Sequence, residues 1–321
     1  EELSSEDAPR AFVKASVPQR LIVLGAGSFL HFVIGFVLLL TLFLSVGVTS
    51  VTSTVEKVSE CIPQKASEVC SAKSTPSPAK NVGILAGDKI IRVDGESYQD
   101  WSDVVAVIRA SAGKELNITI ERNGAPIDIA VTPASREVNG KVIGVLGVVN
   151  KVGTITYGPV DSVARAGKFT GEILKNSATS LVSLPTKIPN LISQTFGGEK
   201  RDPEGLVGVV GVARVSGETA DTDALTLREK IATFILIIAS LNLFVGMFNL
   251  LPLLPLDGGH MAVAIVDGVR SFIARKRGRG KPAPFDVELL APITMVVFVL
   301  MAALSILLLT ADIFNPIRMN F

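Results

Sequence analysis

Three long apolar runs, residues 21–48, 231–257 and 289–310, place the strongest limit on how this chain can fold. A helix of about 20 apolar residues crosses the ~30 Å hydrocarbon core of a bilayer, and each run reaches that length. The first run is too long for a cleavable signal peptide and lacks a convincing small-residue cleavage site. The sequence therefore predicts an α-helical membrane protein with three transmembrane helices, resident in the cell membrane and in contact with its lipid bilayer.

The composition indicates a soluble region in addition to these three spans. Charged residues make up 19% of the 321 residues, too many for a chain that is apolar throughout. The net charge of +1 and the aromatic content of 6% offer neither a basic footprint nor a stacking surface. We therefore expect no nucleic-acid partner.

Residues 51–150 have the pattern of a compact α+β domain inserted between the first two runs. Short alternating runs predict strands, a run with apolar residues on one helical face predicts a helix, and an Asn-Gly pair predicts a hairpin turn. The predicted elements are a strand at Lys89–Val93, a helix at Trp101–Ala110, and strands at Leu116–Glu121 and Ile127–Val131 joined by Asn123-Gly124.

Residues 151–228 predict an amphipathic and loop region that lies near the membrane. Apolar residues between Phe169 and Leu184 recur at helical spacing, and Pro185 and Pro189 are expected to break that helix. The glycine-rich stretch that follows, GLVGVVGVARVSG, is predicted to contribute loop. An ordinary small helical subdomain is the alternative.

Basic residues orient the chain in the membrane. Residues 258–288 are predicted as a basic loop, and residues 1–20 form a basic N-terminal segment; such segments next to spans stay in the cytoplasm. The inserted region is then expected on the extracytoplasmic side. Contact with lipid headgroups alone also explains the loop and leaves this orientation unchanged. The basic residues are Arg10, Lys14 and Arg20 in the first segment, and Arg270, Arg275, Lys276, Arg277, Arg279 and Lys281 in the loop.

Cys61 and Cys70 are the two cysteines of the chain. A zinc knuckle would need more ligands nearby than this stretch contains. A disulfide on the oxidising side of a membrane agrees with the orientation predicted from the basic residues. Two free thiols are the alternative.

The stretch FNLLPLLPLDGGH, at the end of the second run, carries the pattern that points to chemistry. An ionisable Asp257 at membrane depth is costly unless it is paired or binds a cation. Pro252 and Pro255 remove helical hydrogen bonds and should open the helix. Gly258 and Gly259 permit a close backbone approach. Together they predict a polar pocket inside a helix bundle with one carboxylate aimed into it; an Asp that merely ends the span is the alternative.

The pattern N-x-x-P-x-x-P-L-D-G-G resembles the LDG motif of the site-2-protease family, peptidase M50, of intramembrane zinc metalloproteases. The resemblance implies that Asp257 is a ligand of a catalytic Zn²⁺, and that Asn249 holds the unwound substrate. Residues 82–95, VGILAGDKIIRVDG, are similar to the PDZ signature of the family, and residues 205–217 to the loop before its third core helix. The order of segments is similar to that of the bacterial PDZ-containing branch, so the resemblance covers nearly the whole chain.

Two features depart from the family pattern. The family's HExxH motif, whose histidines bind zinc and whose glutamate activates water, does not occur in the 321 residues. We expect that motif in a helix before residue 1, so that the catalytic residues lie outside this chain and the chain alone is inactive. Ser28 and His31 stand where the family often has Pro and Asn. His31 is expected to form a hydrogen bond within the bundle and His260 to lie beside the site or at the interface, with metal ligation the weaker hypothesis for both.

The resemblance implies a metalloendopeptidase that carries out regulated cleavage of single-span membrane proteins such as anti-sigma factors. The PDZ-like domain would bind a peptide by strand addition outside the membrane. The alternative is a non-catalytic membrane scaffold, a pseudoprotease that keeps only a PDZ peptide sensor. A transporter is disfavoured, because three spans without a repeat lack the usual symmetry of that class.

Overall fold

The computed structural model describes residues 15–63, 70, 74–98, 100–138, 140–202, 205–280, 283 and 285–317. The chain divides into two compact units, one formed by residues 48–155 and the other by the segments before and after it. The helices are α1 (Val17–Thr41), α2 (Pro78–Asn81), α3 (Trp101–Ala110), α4 (Pro159–Val182), α5 (Leu184–Phe196), α6 (Val209–Asp221), α7 (Leu227–Asn249), α8 (Asp257–Lys276) and α9 (Ala291–Phe314). The strands are β1 (Val48–Val58), β2 (Cys61–Ile62), β3 (Thr75–Pro76), β4 (Lys89–Val93), β5 (Leu116–Arg122), β6 (Ala125–Val131), β7 (Ala134–Val138), β8 (Lys141–Val145) and β9 (Val148–Ile155).

Within the described residues, three helical segments are long and apolar enough to cross a bilayer: Val17–Val46, Leu227–Asn249 and Glu288–Phe314. The first joins α1 to a π-helical turn at Leu42–Val46. Its beginning is defined by Gln19, whose Oε1 accepts a hydrogen bond from the Ser16 backbone N–H at 2.9 Å. The expectation of three apolar helices together with a sheet-containing domain is confirmed.

Residues 258–276, predicted as part of a basic loop, instead belong to helix α8. Two of the basic residues, Arg275 and Lys276, lie in its last turn, where cations interact favourably with the negative end of the helix. The helix also packs closely on α1, since a Cβ added at Gly268 would lie 3.2 Å from a methyl group of Val17. Packing of this kind supplies most of a helix's stability, and charge pattern alone does not reveal it.

The amphipathic region after the sheet unit contains more helix than its prolines predict. Pro185 separates α4 from α5, as expected, because it lies in the first turn of α5, where no N–H is required. Pro189 is predicted to break the helix, but it lies inside α5. Helix α5 packs against α4 and α9, and this packing offsets the one hydrogen bond that Pro189 cannot make.

The glycine-rich stretch, predicted as loop, mostly forms α6. The carboxylate of Asp312 in α9 accepts hydrogen bonds from the backbone N–H groups of Gly208 at 2.9 Å and Gly211 at 2.8 Å. A carboxylate at a helix N-terminus satisfies donors that have no partner within the helix. Glycine is required here, because a Cβ at Gly208 would lie 2.7 Å from Asp312 Oδ2. Arg201 also forms an ion pair with Asp312, with Nη2 3.2 Å from Oδ1. Both side chains are 2% exposed.

The other unit is built on an antiparallel sheet of five strands in the order β6-β5-β4-β1-β9. Helix α3 turns Val104 and Ile108 into a core shared with apolar residues of the sheet. The hairpin between β5 and β6 has left-handed backbone at Asn123 (φ 52°) and Gly124 (φ 80°), as the Asn-Gly pair predicts. The predicted positions of β4, α3, β5 and β6 are confirmed to within two residues.

An ion pair between the half-buried Arg122 and the buried Asp88 joins β5 to the segment before β4 in this unit. Arg122 donates from Nε to one oxygen of the Asp88 carboxylate and from Nη2 to the other, each at 2.7 Å. The Leu85 backbone N–H donates a third hydrogen bond at 2.8 Å. The hydrogen bonds from Arg122, more than its charge, hold the pKa of the Asp88 carboxyl below its usual range, although burial acts in the opposite direction.

Cys61 and Cys70 are joined by a disulfide, with their Cα atoms 5.8 Å apart. Cys61 lies in β2, opposite Pro76 of β3. The covalent bond therefore closes a short loop, since the two cysteines are nine residues apart.

Candidate active site at the junction of α7 and α8

The helix that contains the second apolar run ends at Asn249 and does not continue to Asp257. Seven residues connect α7 to α8 without regular helical hydrogen bonds, and the Leu254-Pro255 peptide within them is cis. Pro252 and Pro255 lack the N–H that would continue the helix, so the expected opening at these prolines is observed. Asn249 and Asp257 consequently lie at the two ends of an irregular connection.

Gly258 and Gly259 let this connection fold back onto the first turn of α8. A Cβ at Gly258 would lie 2.3 Å from the Leu251 carbonyl oxygen, and one at Gly259 would lie 2.6 Å from the Leu254 nitrogen. Contacts with backbone cannot be relieved by moving a side chain. The glycine pair is therefore required by the close approach of two backbone segments.

Asp257 is the first residue of α8 and is half-buried. Its carboxylate makes no hydrogen bond or ion pair with any residue that the structure describes, and the same holds for the half-buried amide of Asn249. An unpartnered carboxylate beside helices of membrane-spanning length is expensive unless something else compensates its charge. Asp257 and Asn249 are therefore two half-buried polar side chains, at the two ends of one connection, that have no hydrogen-bond partner among the described residues.

Helix α1 runs beside both α7 and α8 at this junction. A Cβ at Gly25 would lie 3.7 Å from the Met261 methyl group of α8, and a Cβ at Gly246 of α7 would lie 3.0 Å from His31 Cβ. His31 also places Nδ1 2.9 Å from Oδ1 of Asn242. The expectation that His31 forms a hydrogen bond within the bundle is confirmed. His260 is exposed, one turn into α8.

An apolar cavity of about 340 Å³ opens beside the connection, between α8 and the start of α9. Its wall includes Leu253 and Leu254 of the connection, Val263 of α8, and Ile293 and Val297 of α9. The connection therefore has an apolar cavity along Pro252, Leu253 and Leu254.

Asp257 is the main candidate metal ligand at this junction, where His260 is exposed three residues later in α8 and His31 is hydrogen-bonded to Asn242. Across the described part of the chain, no three residues of the types His, Cys, Asp or Glu lie close enough together to bind a metal ion. A catalytic zinc site takes three protein ligands and keeps one position open. These residues by themselves therefore do not fit a zinc ion, and they define no catalytic step through one.

Sequence comparisons identify the family. The model of peptidase family M50 matches residues 2–287. The chain is 33% identical to the zinc metalloprotease Rip1 of Mycobacterium bovis over 334 residues, which cover 99% of this chain and 81% of the relative. The relation to Rip1 of Mycolicibacterium smegmatis is similar, with 33% identity over 99% of this chain and 79% of the relative.

A more distant relative is the regulator of sigma-E protease RseP of Escherichia coli, 29% identical over 60% of this chain and 41% of the relative. The family match extends over most of the chain, including the connection between α7 and α8. The Rip1 alignments extend over nearly all of it. The chain therefore belongs to peptidase family M50, a family of metalloproteases.

Proposed function

We propose that this protein is an intramembrane zinc endopeptidase that cleaves single-span membrane proteins, with Asp257 as one ligand of the zinc ion. The observation that carries the proposal is the half-buried carboxylate of Asp257, which has no partner among the described residues and begins α8, after the irregular connection that follows the membrane-length helix α7. A divalent cation would compensate that charge. The names of the Rip1 relatives, zinc metalloproteases, support the choice of metal.

Asn249 is proposed to hold the substrate. A peptide bond within a transmembrane helix is accessible only after the helix unwinds, and the freed N–H and C=O groups then need hydrogen-bond partners. The Asn249 side chain offers a donor and an acceptor, and it has no partner among the described residues. It lies across the connection from Asp257.

The sheet unit is proposed to be a PDZ-like domain on the extracytoplasmic side that binds a peptide. The Cys61–Cys70 disulfide and the basic residues at the end of α8 support the extracytoplasmic placement. The two edge strands, β6 and β9, support peptide binding. Disulfides persist outside the reducing cytoplasm, and basic segments stay inside it. An edge strand can accept a peptide as an additional strand.

A non-catalytic scaffold is the second candidate. It is favoured by the lack of a complete metal-binding group within the described residues. The carboxylate of Asp257 argues against it, because a scaffold gains nothing from a costly unpaired charge at this position.

Cleavage of a single-span membrane substrate by the full-length protein separates the two candidates. In the protease, Asp257→Asn abolishes cleavage while the protein still inserts in the membrane, because an amide is a poor metal ligand. Asp223→Asn, at an exposed carboxylate before α7, is the matched control and keeps wild-type cleavage. Retained cleavage in Asp257→Asn would remove this residue from the site.

Orientation is tested by labelling intact cells with a membrane-impermeant maleimide. The native cysteines are joined in a disulfide, so single cysteines can be introduced at exposed positions. Lys57→Cys in β1 should react and Arg277→Cys after α8 should not. The reverse result contradicts the proposed topology.

A further inference from the structure

Helix α8 has an exposed apolar stripe along its second half. Val269 is 52% exposed and Phe272 is 62% exposed. The stripe consists of Ile265, Val266, Val269, Phe272 and Ile273. Successive members are one, three or four residues apart, so they share one face of the helix. A different face of α8, which includes Met261 and Gly268, packs on α1.

A cluster of cations follows the stripe at the end of α8. This cationic cluster consists of Arg275, Lys276, Arg277 and Arg279, all exposed. None of the four side chains has an ion pair or a hydrogen bond with another described residue. Arg270, one turn earlier, differs in lying 3.7 Å from the carboxylate of Asp267. The cationic cluster therefore presents charge that the described part of the protein does not neutralise.

The backbone fixes the cationic cluster at the helix end. The N–H of Gly278 donates to the Arg275 carbonyl at 3.1 Å, and the N–H of Arg279 donates to the Ala274 carbonyl at 2.9 Å. Gly278 has a φ of 67°, which glycine adopts without steric cost. Two such bonds form the turn that commonly ends a helix. They hold the backbone of Arg279 against the last turn of α8.

The packing of α8 on α1 places this end of α8 toward a membrane surface. A Cβ at Gly25 would contact Met261 and one at Gly268 would contact Val17, so the two helices are antiparallel. Val17 begins the first segment of membrane-spanning length. The residues after Gly268 therefore extend α8 past the beginning of that segment, toward the polar headgroup layer that lies outside the ~30 Å hydrocarbon core.

An apolar stripe next to unpaired cations is typical of a helix that binds an anionic bilayer surface. Apolar side chains pack on acyl chains, while long Lys and Arg side chains reach phosphate groups. We propose that the second half of α8 is a docking surface for anionic phospholipids. Their acyl chains lie against Val269 and Phe272, and their phosphates lie at the cationic cluster. The docking surface begins eight residues after Asp257 and depends on neither the metal ion nor cleavage.

The test uses the full-length protein in liposomes of phosphatidylglycerol and phosphatidylcholine. The double variant Trp101→Phe, Phe272→Trp carries its single tryptophan in the apolar stripe. Lipids with brominated acyl chains should quench this tryptophan, because bromine quenches a fluorophore on close contact. The unmodified protein is the control, since Trp101 packs against the core of the sheet unit and should not be quenched.

Headgroup preference is measured by changing which of the two lipids carries bromine. Phosphatidylglycerol should bind about fivefold more tightly than phosphatidylcholine, or more, because each Lys or Arg close to an anionic surface strengthens binding by about that factor. Raising NaCl from about 0.05 M to about 0.5 M should reduce this preference, because salt screens exposed charges. The salt measurement needs no further substitution.

Neutralising the cationic cluster tests which residues select the headgroup. The combined changes Arg275→Gln, Lys276→Gln, Arg277→Gln and Arg279→Gln, in the same double variant, should lower the preference to about onefold. The matched control removes four exposed cations from the sheet unit, by Lys57→Gln, Lys89→Gln, Arg92→Gln and Lys114→Gln, and should keep the preference.

Three results would overturn the proposal. Absence of quenching by either brominated lipid would show that water, a second copy of the chain or another protein segment covers the stripe. Equal binding of the two lipids at low salt would show that the surface does not select anionic headgroups. A preference that survives neutralisation of the cationic cluster would place the anionic site elsewhere. None of these results bears on the role of Asp257, which cleavage by Asp257→Asn decides.

Discussion

His31 Nδ1 lies 2.9 Å from Asn242 Oδ1, and this contact joins α1 to α7. Asn242 donates from Nδ2 to the Ile238 carbonyl at 2.8 Å, so its Oδ1 remains to accept a hydrogen bond. An amide oxygen cannot donate, and Nδ1 of His31 therefore carries the hydrogen. The bridge links two helices of membrane-spanning length, and in α7 it lies seven residues, about two turns, before Asn249.

Removing one partner of this bridge should destabilise the bundle. His31→Ala is expected to lower the free energy of unfolding in detergent by about 1–3 kcal/mol, since Asn242 Oδ1 is left without a partner. Asn242→Ala should have a similar effect. The double variant should cost less than the sum of the two, by about 0.6 kcal/mol or more. Strict additivity would show that the two side chains do not interact. Thr41→Ala, whose hydroxyl bonds only within α1, is the control.

Gly258→Ala should disrupt the connection between α7 and α8. The added methyl group would lie 2.3 Å from the Leu251 carbonyl oxygen, so the backbone must shift. We expect a loss of about 1–3 kcal/mol or more in the free energy of unfolding, together with loss of cleavage. Gly171→Ala in α4 is the matched control, because nothing lies within 4 Å of its added Cβ. It should be neutral or stabilising by up to about 1 kcal/mol. A Gly258→Ala variant as stable as wild type would contradict the observed packing.

The Asp88–Arg122 pair predicts acid sensitivity of the sheet unit. The pKa of the folded Asp88 carboxyl is depressed, so its contribution to stability is present above the pKa of the unfolded form and is lost as pH falls. Stability should therefore decline below about pH 4, where an unperturbed Asp takes up its proton. Fluorescence of Trp101, the single tryptophan, reports on this unit because its side chain packs against the core.

Asp88→Asn should be less stable than wild type at pH 7 and lose less stability between pH 5 and pH 2. Glu56→Gln, at an exposed residue of β1, should keep the wild-type pH profile. Identical acid profiles for Asp88→Asn and wild type would exclude this pair as the source of acid sensitivity.

The disulfide should stabilise the sheet unit by restricting its unfolded chain. Cys61 and Cys70 are nine residues apart, and a loop of that size predicts about 2–3 kcal/mol. The double variant Cys61→Ser, Cys70→Ser should lower the free energy of unfolding by that amount, again followed through Trp101. Treatment of wild type with dithiothreitol should give the same loss. An unchanged unfolding curve would show that this loop does not limit the stability of the unit.

The local sequence pattern was sufficient to predict several of the observed secondary-structure elements. The Asn123-Gly124 pair flanked by alternating residues predicts the observed hairpin, because few other residues adopt two consecutive left-handed conformations. Long apolar runs predict the three membrane-length helices, because length and hydropathy are properties of the local sequence. Where the structure differs, at α6, α8 and Pro189, the deciding contacts come from distant residues such as Asp312 and Val17.

The sequence by itself determined the apolar helices, the inserted sheet unit, and the proline and glycine positions at which the second membrane-length helix opens. Only the tertiary structure decided that Ser28 and His31 of α1 lie beside the junction of α7 and α8, and that Gly258 and Gly259 admit the returning backbone. The physical reason is the distance along the sequence over which each effect acts. Propensity and hydropathy act over a few neighbouring residues, whereas the burial of a hydroxyl or a carboxylate depends on which helices pack around it.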